Sequence, residues 1–382
     1  MSTTVGIIGA GQLGVYLCQA ASTLGLSTVV MSASADSPAE QVADKTIIGE
    51  FDNLDVVREL CELVDVVTFE FEDVPQQTLD ELTRLAHTTS LKVFPDPSVL
   101  SLLKNKATQK QWFINKGFPT GDFCVCDQNT KVEALAERLG LPFVQKSQTG
   151  GFDGRGVQII NRGDEQNFWS TPSIAEKWIE HEKELAVIVG RSTSGTCTSY
   201  PVVELTFSPK DQVLELATSP AAIPADLEHQ AKALGERIVT ALGGVGIFAI
   251  ELFLTHDGQL LVNEVSPRVH NSGHMTIEAH QTSQYEQHLL AVTGQPLGDT
   301  QQINPAAMRN ILYDDYMIEL CGLPVSRWQH DQQTVVHWYG KLKGTLGRKM
   351  GHITSVAEQL NTAKQATLAG LAALDKEGLK VK

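Results

Sequence analysis

The sequence is poor in cysteine and in basic residues. Six cysteines stand among 382 residues, and the closest pair, Cys124 and Cys126, lacks C-x-x-C spacing. We therefore expect six reduced, mostly buried thiols rather than a disulfide framework. Lysine and arginine total 30 against 45 acidic residues, a formal net charge of −15. That balance argues against a nucleic-acid partner or a polybasic membrane patch, because both need an excess of basic residues.

Long apolar runs are also missing. No stretch approaches the roughly 18 residues of a membrane span, and the first residues lack the basic start and long apolar core of a signal peptide. We therefore expect a globular cytoplasmic protein without a membrane partner. Its hydrophobic content of 42% is ample for packed cores, and a chain of this length should form two or three domains.

A third absence concerns the glycine motif near the start. The glycines of residues 9–14 have G-x-G-x-x-G spacing, between an apolar strand at 5–8 and an expected helix at 15–24. A dinucleotide site also needs an acidic residue about 20 residues later, at the end of the second strand. Residues 31–33, which end that strand, include no acid. We interpret the glycines as a tight turn whose amides are free for another anion; NAD binding is the alternative.

The order of apolar segments indicates the domain organisation. Between residues 5 and 93, short β-branched runs alternate with amphipathic stretches, which predicts a doubly wound parallel sheet with crossover helices. A proline-punctuated linker leads into a new unit near residue 98, and short strands with basic residues follow residue 298. The expected class is α/β, with domains at 1–97, 98–297 and 298–382.

A second glycine cluster lies in the middle of the chain. Lys146 ends an apolar strand, and four glycines follow within residues 150–156. The lysine precedes the glycines, so this is not a P-loop. Such a segment suits a flap over a polyphosphate, because bare amides can approach the oxygens while the ammonium neutralises them. An ordinary glycine-rich hairpin with a solvated lysine is the alternative.

Two glutamates lie on a predicted hairpin. Asp257-Gly258 is a strong two-residue turn signal between two apolar runs. That turn would place Glu251 directly opposite Glu264, where like charges repel. A divalent cation such as Mg²⁺, with phosphate oxygens completing its shell, would offset the repulsion. The alternative is an exposed hairpin face on which both carboxylates are solvated.

Several motifs together resemble the N5-carboxyaminoimidazole ribonucleotide synthetases, the purine-pathway family of the ATP-grasp superfamily. They run nearly end to end: GQLG, TFEFEDVP, KNKATQKQ, GGFDGRG, NEVSPRVHNSGH, HWYGK and GRKMGH. The resemblance implies a pre-ATP-grasp domain, an ATP-grasp domain and a small C-terminal domain, assembled as a homodimer. It also implies a ligase that uses ATP, Mg²⁺ and bicarbonate to carboxylate 5-aminoimidazole ribonucleotide through carboxyphosphate.

The resemblance assigns the nucleotide site. It places Lys106 and Lys146 on the ATP phosphates and places Glu251 and Glu264, which spacing also favours, on Mg²⁺. Asn263 is implied to lie near the phosphates, although a regular strand would point it away from the face of Glu264. The further ATP contacts that it implies are Phe152, Asp153, Gly154, Arg155, Gly156, Val157, Gln158, Glu176, Lys177, Trp178, Ile179, Glu184 and Glu204, together with Glu264 itself.

Three residues suit the carboxylation chemistry that the resemblance implies. Arg155, Arg268 and His270 stand in or just after the nucleotide motifs, where groups that handle a bicarbonate-derived anion are expected. Arg268, which stays charged, would hold the oxyanion, and His270 would move the proton, a structural histidine being the alternative. The ribonucleotide contacts that the resemblance implies are Gln12, Glu72, Asp153, Lys341, Arg348 and Lys349. The basic segment after residue 340 suits a phosphate clamp. An exposed basic hairpin is the alternative there, most of all for Lys343.

Two positions depart from the family pattern. Phe152 stands where the family usually has tyrosine, and Leu205 where it commonly has asparagine. Neither position bears on the phosphates or the metal. The rival functions are another ATP-grasp ligase, such as a formate-using ribonucleotide transformylase or a biotin carboxylase, and a nonenzymatic nucleotide sensor.

Overall fold

The structure is a computed structural model that describes residues 2–150, 156–208, 214–313 and 321–377, with side chains to residue 373. Its N-terminal part is a five-stranded parallel sheet with strands β1 (Thr4–Ile8), β2 (Ser27–Ser32), β3 (Lys45–Ile48), β4 (Val66–Phe69) and β5 (Lys92–Val93). The spatial order β3-β2-β1-β4-β5 is that of a doubly wound sheet. The fold predicted for this part of the chain is therefore confirmed.

Helices cover both faces of the parallel sheet. They are α1 (Gln12–Thr23), α2 (Leu54–Leu63), α3 (Gln76–Thr88) and α4 (Pro97–Leu103). Ile8 of β1 enters the core formed with α2 and α3, whereas Ile7 enters the core formed with α1. Burial on both faces explains why these strands read as continuous apolar runs.

A four-stranded antiparallel sheet follows. It contains β6 (Phe123–Cys126), β7 (Phe143–Ser147), β8 (Val157–Ile160) and β9 (Ser173–Lys177), in the order β6-β9-β7-β8. Two helices accompany it, α5 (Lys106–Lys116) and α6 (Val132–Leu139). The side chain of Asn105 accepts hydrogen bonds from the first free amides of α5, which fixes where that helix begins.

Ten strands form the largest sheet. They are β10 (His181–Arg191), β11 (Cys197–Ser199), β12 (Val203–Phe207), β13 (Leu214–Ser219), β14 (Gly246–Thr255), β15 (Leu260–Ser266), β16 (Ala306–Leu312), β17 (Ser326–Gln329), β18 (Thr334–Trp338) and β19 (Lys349–Val356). The order is β15-β14-β10-β12-β13-β16-β19-β18-β17, with β11 paired to β10 outside this path. The strands after residue 298 therefore continue the central sheet through the β13–β16 pair.

The remaining helices flank this large sheet. They are α7 (Ala225–Leu242), α8 (Thr276–Ala279), α9 (Gln284–Val292) and α10 (Leu360–Glu377), and short 3-10 turns lie at Pro38–Gln41, Glu165–Asn167 and Asn271–Gly273. Within the described ranges, no helix combines the length and the apolar character that crossing a membrane requires.

A stack of three histidines lies where the three parts of the chain meet. The rings of His274 and His352 are 4.5 Å apart, and those of His337 and His352 are 4.3 Å apart, both pairs nearly parallel. Tyr16 of α1 lies within 5.5 to 5.7 Å of all three rings. Burial lowers the pKa values of His274 and His352, so these rings are neutral, and Nδ1 of each lies within hydrogen-bond distance of a tyrosine hydroxyl, that of Tyr285 or Tyr339.

Candidate active site

A narrow cleft separates the four-stranded sheet from the β15 edge of the large sheet. The side chains that line it nearly fill the space between the two sheets. Its lining residues come from α5, β7, β9 and β15: Lys106, Gln109, Lys110, Lys146, Ile174, Glu176, Asn263 and Glu264. The cleft therefore collects lysines and carboxylates that are far apart in the sequence.

The hairpin of β14 and β15 places the two predicted glutamates opposite each other. Glu251 pairs directly with Glu264, as the sequence predicted. The predicted two-residue turn is wrong, however, because Thr255 donates its N–H to the carbonyl of Gln259 across a three-residue loop. Gly258 takes the left-handed conformation (φ 81°) that such a loop requires.

A β-bulge at Asn263 restores the register that the longer loop would have shifted. Leu252 faces Val262, whereas Glu251, the residue before it, faces Glu264. Asn263 therefore has no partner on β14 and is an extra residue on β15. In a regular strand Asn263 would have pointed away from Glu264. The bulge turns it into the cleft instead, where its Oδ1 accepts a hydrogen bond from Nζ of Lys146 at 3.0 Å.

The opposed carboxylates carry different charges. Burial, with the nearby charges of Glu264 and Glu184, raises the pKa of Glu251 to about 8. The ammonium of Lys106, 2.5 Å from Oε2 of Glu264, lowers the pKa of Glu264 to about 2. The two pKa values therefore move in opposite directions, and Glu264 is the carboxylate of the pair that ionises first.

Glu176 forms a buried ion triad with two lysines. One oxygen is 2.6 Å from Nζ of Lys110 and the other is 2.5 Å from Nζ of Lys146. Burial would raise the pKa of Glu176, but the two ammonium groups outweigh it and lower that pKa to about 2. The sequence analysis missed Lys110, although its i,i+4 spacing from Lys106 on α5 places both on one face of that helix.

The carboxylate pair fits Mg²⁺. Among the described residues, no group of three or more His, Cys, Asp or Glu side chains is placed to share a metal ion. Mg²⁺ is commonly held by one or two carboxylates, with substrate phosphates and water as its other ligands. The raised pKa of Glu251 shows that the second negative charge of the pair is poorly compensated, and a cation between the two carboxylates would compensate it.

The segment 176–179 joins the two sheets that border the cleft. Lys177 ends β9, Trp178 is 37% exposed, and the carbonyl of Ile179 lies 2.9 Å from Nδ1 of His181. Glu184 follows on β10, close enough to Glu251 to raise the pKa of its carboxyl. Glu204 on β12 accepts hydrogen bonds from Lys183 at 2.9 Å and from the amide of Ala222 at 3.1 Å.

The predicted phosphate flap is only partly described. Phe152, Asp153, Gly154 and Arg155 lie outside the described residues. Gly156 and Val157 lead into β8, where Val157 pairs with Lys146. Gln158 lies on the opposite face of that sheet, and its amide donates to Oε1 of Gln145 at 2.7 Å. The structure therefore does not bring the side chain of Gln158 to the cleft.

Arg268 and His270 lie at the end of β15 that borders the N-terminal part of the chain. Arg268 donates from Nε and Nη2 to the two carboxylate oxygens of Glu72, a bidentate pair. Nε2 of His270 lies 3.6 Å from Oε1 of Glu251. Burial and the nearby charges of Arg268 and Lys349 lower the pKa of His270 to about 4, so the ring is neutral at pH 7.

The basic segment near the C-terminus divides into buried and exposed lysines. Lys341 and Lys349 are only 7% and 8% exposed, and Nζ of Lys341 donates to the carbonyl of Lys349. Burial raises the pKa of Glu70, which the charge of Lys341 counteracts, and burial together with the charge of Lys349 lowers the pKa of His270. Both lysines therefore lie near the side of the site that the N-terminal part of the chain borders. Arg348 is exposed and donates to the carbonyl of Lys343 at 2.6 Å, so the structure does not group it with the two buried lysines.

Glu70 occupies the glycine turn that resembles a dinucleotide motif. Its carboxylate accepts hydrogen bonds from the amides of Gly11 at 2.5 Å and Leu13 at 3.2 Å. A Cβ at Gly11 would overlap this carboxylate, which explains the glycine. The expectation of free amides at the start of α1 was therefore wrong, because the chain supplies its own anion there. Gln12, the first residue of α1, lies between these donors.

Comparisons with known proteins agree over the whole chain. Family models match residues 1–104 (ribonucleotide synthetase preATP-grasp domain), 111–285 (ATP-grasp domain) and 306–366 (phosphoribosylaminoimidazole carboxylase C-terminal domain). The N5-carboxyaminoimidazole ribonucleotide synthase of Brucella melitensis biotype 1 is 36% identical over 361 residues, which is 93% of this chain and 96% of that one.

Solved structures agree with these sequence relatives. The Staphylococcus aureus N5-carboxyaminoimidazole synthetase complexed with ADP matches with a TM-score of 0.86 at 32% identity, over 97% of both chains. The Aspergillus clavatus N5-carboxyaminoimidazole synthase, in complex with ADP and 5-aminoimidazole ribonucleotide, matches with a TM-score of 0.86 at 30% identity. That match covers 98% of this chain and 99% of the other. The ATP-grasp architecture expected from the sequence is confirmed.

We predict that NAD and NADP do not bind. The amides that would hold a pyrophosphate already hold Glu70, and the second strand ends without a ribose-binding acid. Calorimetry should show no heat of binding for either dinucleotide, whereas MgATP titrated into the same preparation serves as the positive control. Micromolar affinity for NAD would contradict the assignment of this turn.

We also predict that Glu251 makes stability depend on pH in metal-free buffer. Its folded pKa of about 8 lies above its ordinary value, so between about pH 5 and 8 the folded chain binds more protons than the unfolded chain. The free energy of unfolding should then fall as pH rises, by at most about 1.4 kcal/mol per pH unit. Urea unfolding at pH 6, 7 and 8 would measure the slope, which Glu251→Gln should flatten. Equal slopes for both proteins would refute the shifted pKa.

Proposed function

The chain belongs to the N5-carboxyaminoimidazole ribonucleotide synthetase family of ATP-grasp ligases, and we propose that its cleft uses bicarbonate as the source of the transferred carboxyl group. The activity is ATP-dependent carboxylation of 5-aminoimidazole ribonucleotide in purine biosynthesis. The observation that carries the proposal is the carboxylate pair of Glu251 and Glu264 inside a cluster of lysines, close to Arg268 and His270.

In this proposal the cleft binds MgATP by replacing ion pairs between its own lysines and glutamates with contacts to the phosphates and to Mg²⁺. Lys106 and Lys146 bind phosphate oxygens, while Glu251 and Glu264 hold Mg²⁺. Before the nucleotide binds, Lys106 pairs with Glu264 and Lys146 pairs with Glu176, so neither ammonium is buried unpaired. When bound, Mg²⁺ would neutralise the phosphate charge that accumulates during transfer.

The proposed chemistry has two steps. An oxygen of bicarbonate attacks the γ-phosphorus of ATP, the bond to the β-phosphate oxygen breaks, and ADP leaves carboxyphosphate behind. The amine of the ribonucleotide then attacks the carboxyl carbon, and phosphate departs as the amine loses a proton. Arg268, fixed by Glu72, stabilises the oxyanion. His270, neutral at pH 7, gives its ring proton to the departing phosphate and takes up the proton that the amine loses. Arg155, outside the described residues, is proposed to assist.

The ribonucleotide is proposed to bind between the start of α1 and the basic segment. Lys341 and Lys349 hold its phosphate, because they are the buried cations on that side. Arg348 can join them only by leaving its exposed position. Gln12, Glu72 and Asp153 contact the rest of the molecule. That the enzyme is a homodimer is proposed from the resemblance, and that it is cytoplasmic is proposed from the composition of the sequence.

An ADP-release assay with each substrate omitted in turn tests the proposed reaction. We expect ADP release to require bicarbonate, which the first step consumes. Sustained release should also require 5-aminoimidazole ribonucleotide, because the second step consumes the carboxyphosphate that otherwise stays in the site. Release with formate in place of bicarbonate would indicate the transformylase alternative. Nucleotide binding without release under any combination would indicate a sensor.

We predict that Lys349→Met raises KM for the ribonucleotide about 10- to 150-fold, since a charge-assisted hydrogen bond contributes about 1.5–3 kcal/mol. KM for ATP should change little. The matched control is Lys343→Met, because Lys343 is an exposed lysine of the same segment. An unchanged ribonucleotide KM in Lys349→Met, or an equal rise in both variants, would remove Lys349 from the phosphate site.

A further inference from the structure

Gln284, the first residue of α9, contacts the backbone of His270 at both of its polar groups. Oε1 of Gln284 accepts from the N–H of His270 at 2.9 Å, and Nε2 donates to the carbonyl of His270 at 2.7 Å. From this geometry we infer that Gln284 is a positioning residue that holds His270 for carboxylation. The inference rests on the proposed role of His270 as the proton carrier.

Gln284 is itself rigidly placed. Its side chain is fully buried, and its own N–H donates to Oγ1 of Thr276 at 2.9 Å. A capping box between Ser283 and Glu286 fixes the start of α9 at this point. The chain after His270 folds closely around the amide, and a Cβ at Gly273 would come within 2.5 Å of Oε1 of Gln284.

The clamp sets which nitrogen of His270 faces the cleft. With the backbone of His270 fixed, the N–H of Ser272 points at Nδ1 from 3.3 Å, and Oγ of Ser272 lies 2.8 Å from the same nitrogen. Since Nδ1 accepts the backbone hydrogen bond, the neutral ring carries its proton on Nε2. Nε2 is the atom that faces Glu251 at 3.6 Å. Gln284 thereby acts on the chemistry through the ring of another residue.

The same helix supplies a matched control. Gln287 lies one turn later, is also fully buried, and clamps the backbone of Gly298 in the same way. Its Oε1 accepts from the N–H of Gly298 at 2.7 Å, and its Nε2 donates to the carbonyl of Gly298 at 3.0 Å. Gly298 lies outside the cleft lining. Gln284→Met and Gln287→Met change residues of the same helix, and each removes two hydrogen bonds between a buried side chain and the backbone. Methionine and glutamine side chains have similar volumes, so neither variant opens a large cavity.

The kinetic test compares these two variants in the full-length enzyme. Gln284→Met should lower kcat for carboxylation about 10- to 100-fold with little change in either substrate KM, because misplacing a reacting group by about 1 Å has that effect. Gln287→Met should keep kcat within about twofold. Equal kcat losses in the two variants would overturn the inference, as would an unchanged kcat in Gln284→Met.

A test in a His270→Asn variant separates this inference from the proposed function. In an enzyme that already carries His270→Asn, adding Gln284→Met should lower kcat by less than about twofold, since the residue acts through His270. A full additional loss would show that Gln284 acts elsewhere. If His270→Asn alone retains full kcat, the proton-carrier role fails instead, whatever Gln284 does.

A spectroscopic readout does not depend on turnover. The ¹⁵N NMR spectrum of the imidazoles, assigned by comparison with His270→Asn, should show the His270 proton on Nε2 in the wild type and in Gln287→Met. In Gln284→Met that signal should shift toward mixed tautomers. A His270 spectrum that Gln284→Met leaves unchanged would show that the clamp does not orient the ring. This readout also remains if Gln284→Met is too unstable for steady-state assays, because it needs only the folded fraction.

Discussion

The cleft is arranged around the repulsion between two carboxylates, which are buried opposite each other on one face of a hairpin. Glu251 and Glu264 cannot both ionise there without a nearby positive charge. Lys106 neutralises Glu264, and the raised pKa of Glu251 favours its protonated form. Lys146 contacts the neighbouring Asn263 and, through Glu176, meets a third lysine, Lys110. Each lysine in the cleft therefore pairs with a carboxylate that a phosphate group can replace, and each charged glutamate pairs with an ammonium group that a metal cation can replace.

The site is assembled from distant parts of the chain, so its geometry depends on how those parts pack. Glu72 belongs to the N-terminal part, Arg268 to the central sheet and Lys349 to the last strand of the sheet. The histidine stack with Tyr16 lies at the junction of the same three parts. Because its rings are buried and close-packed, the junction has little freedom to shift. That rigidity suits a mechanism that depends mainly on placing charged groups.

The glycine turn after β1 shows that one backbone motif can serve two purposes. In dinucleotide-binding proteins the amides of such a turn hold a pyrophosphate. Here they hold the carboxylate of Glu70, which ties α1 to the end of β4. The anion-binding property of the helix start is retained, but it is used inside the protein, next to the proposed ribonucleotide site.

The sequence alone determined the features that arise from local order. Alternating apolar runs predicted the doubly wound sheet, and two apolar runs about Asp257 predicted the hairpin of β14 and β15. Glu251 faces Glu264 as predicted only because the bulge at Asn263 offsets the longer loop. Tertiary structure alone decided the bulge at Asn263, the occupation of the glycine turn by Glu70 and the clamp of Gln284 on His270. Strand pairing within a hairpin depends on neighbours in sequence, so its pattern is visible there. The hydrogen-bond partner of a buried polar group is set by contacts between distant segments, and no local sequence pattern encodes those contacts.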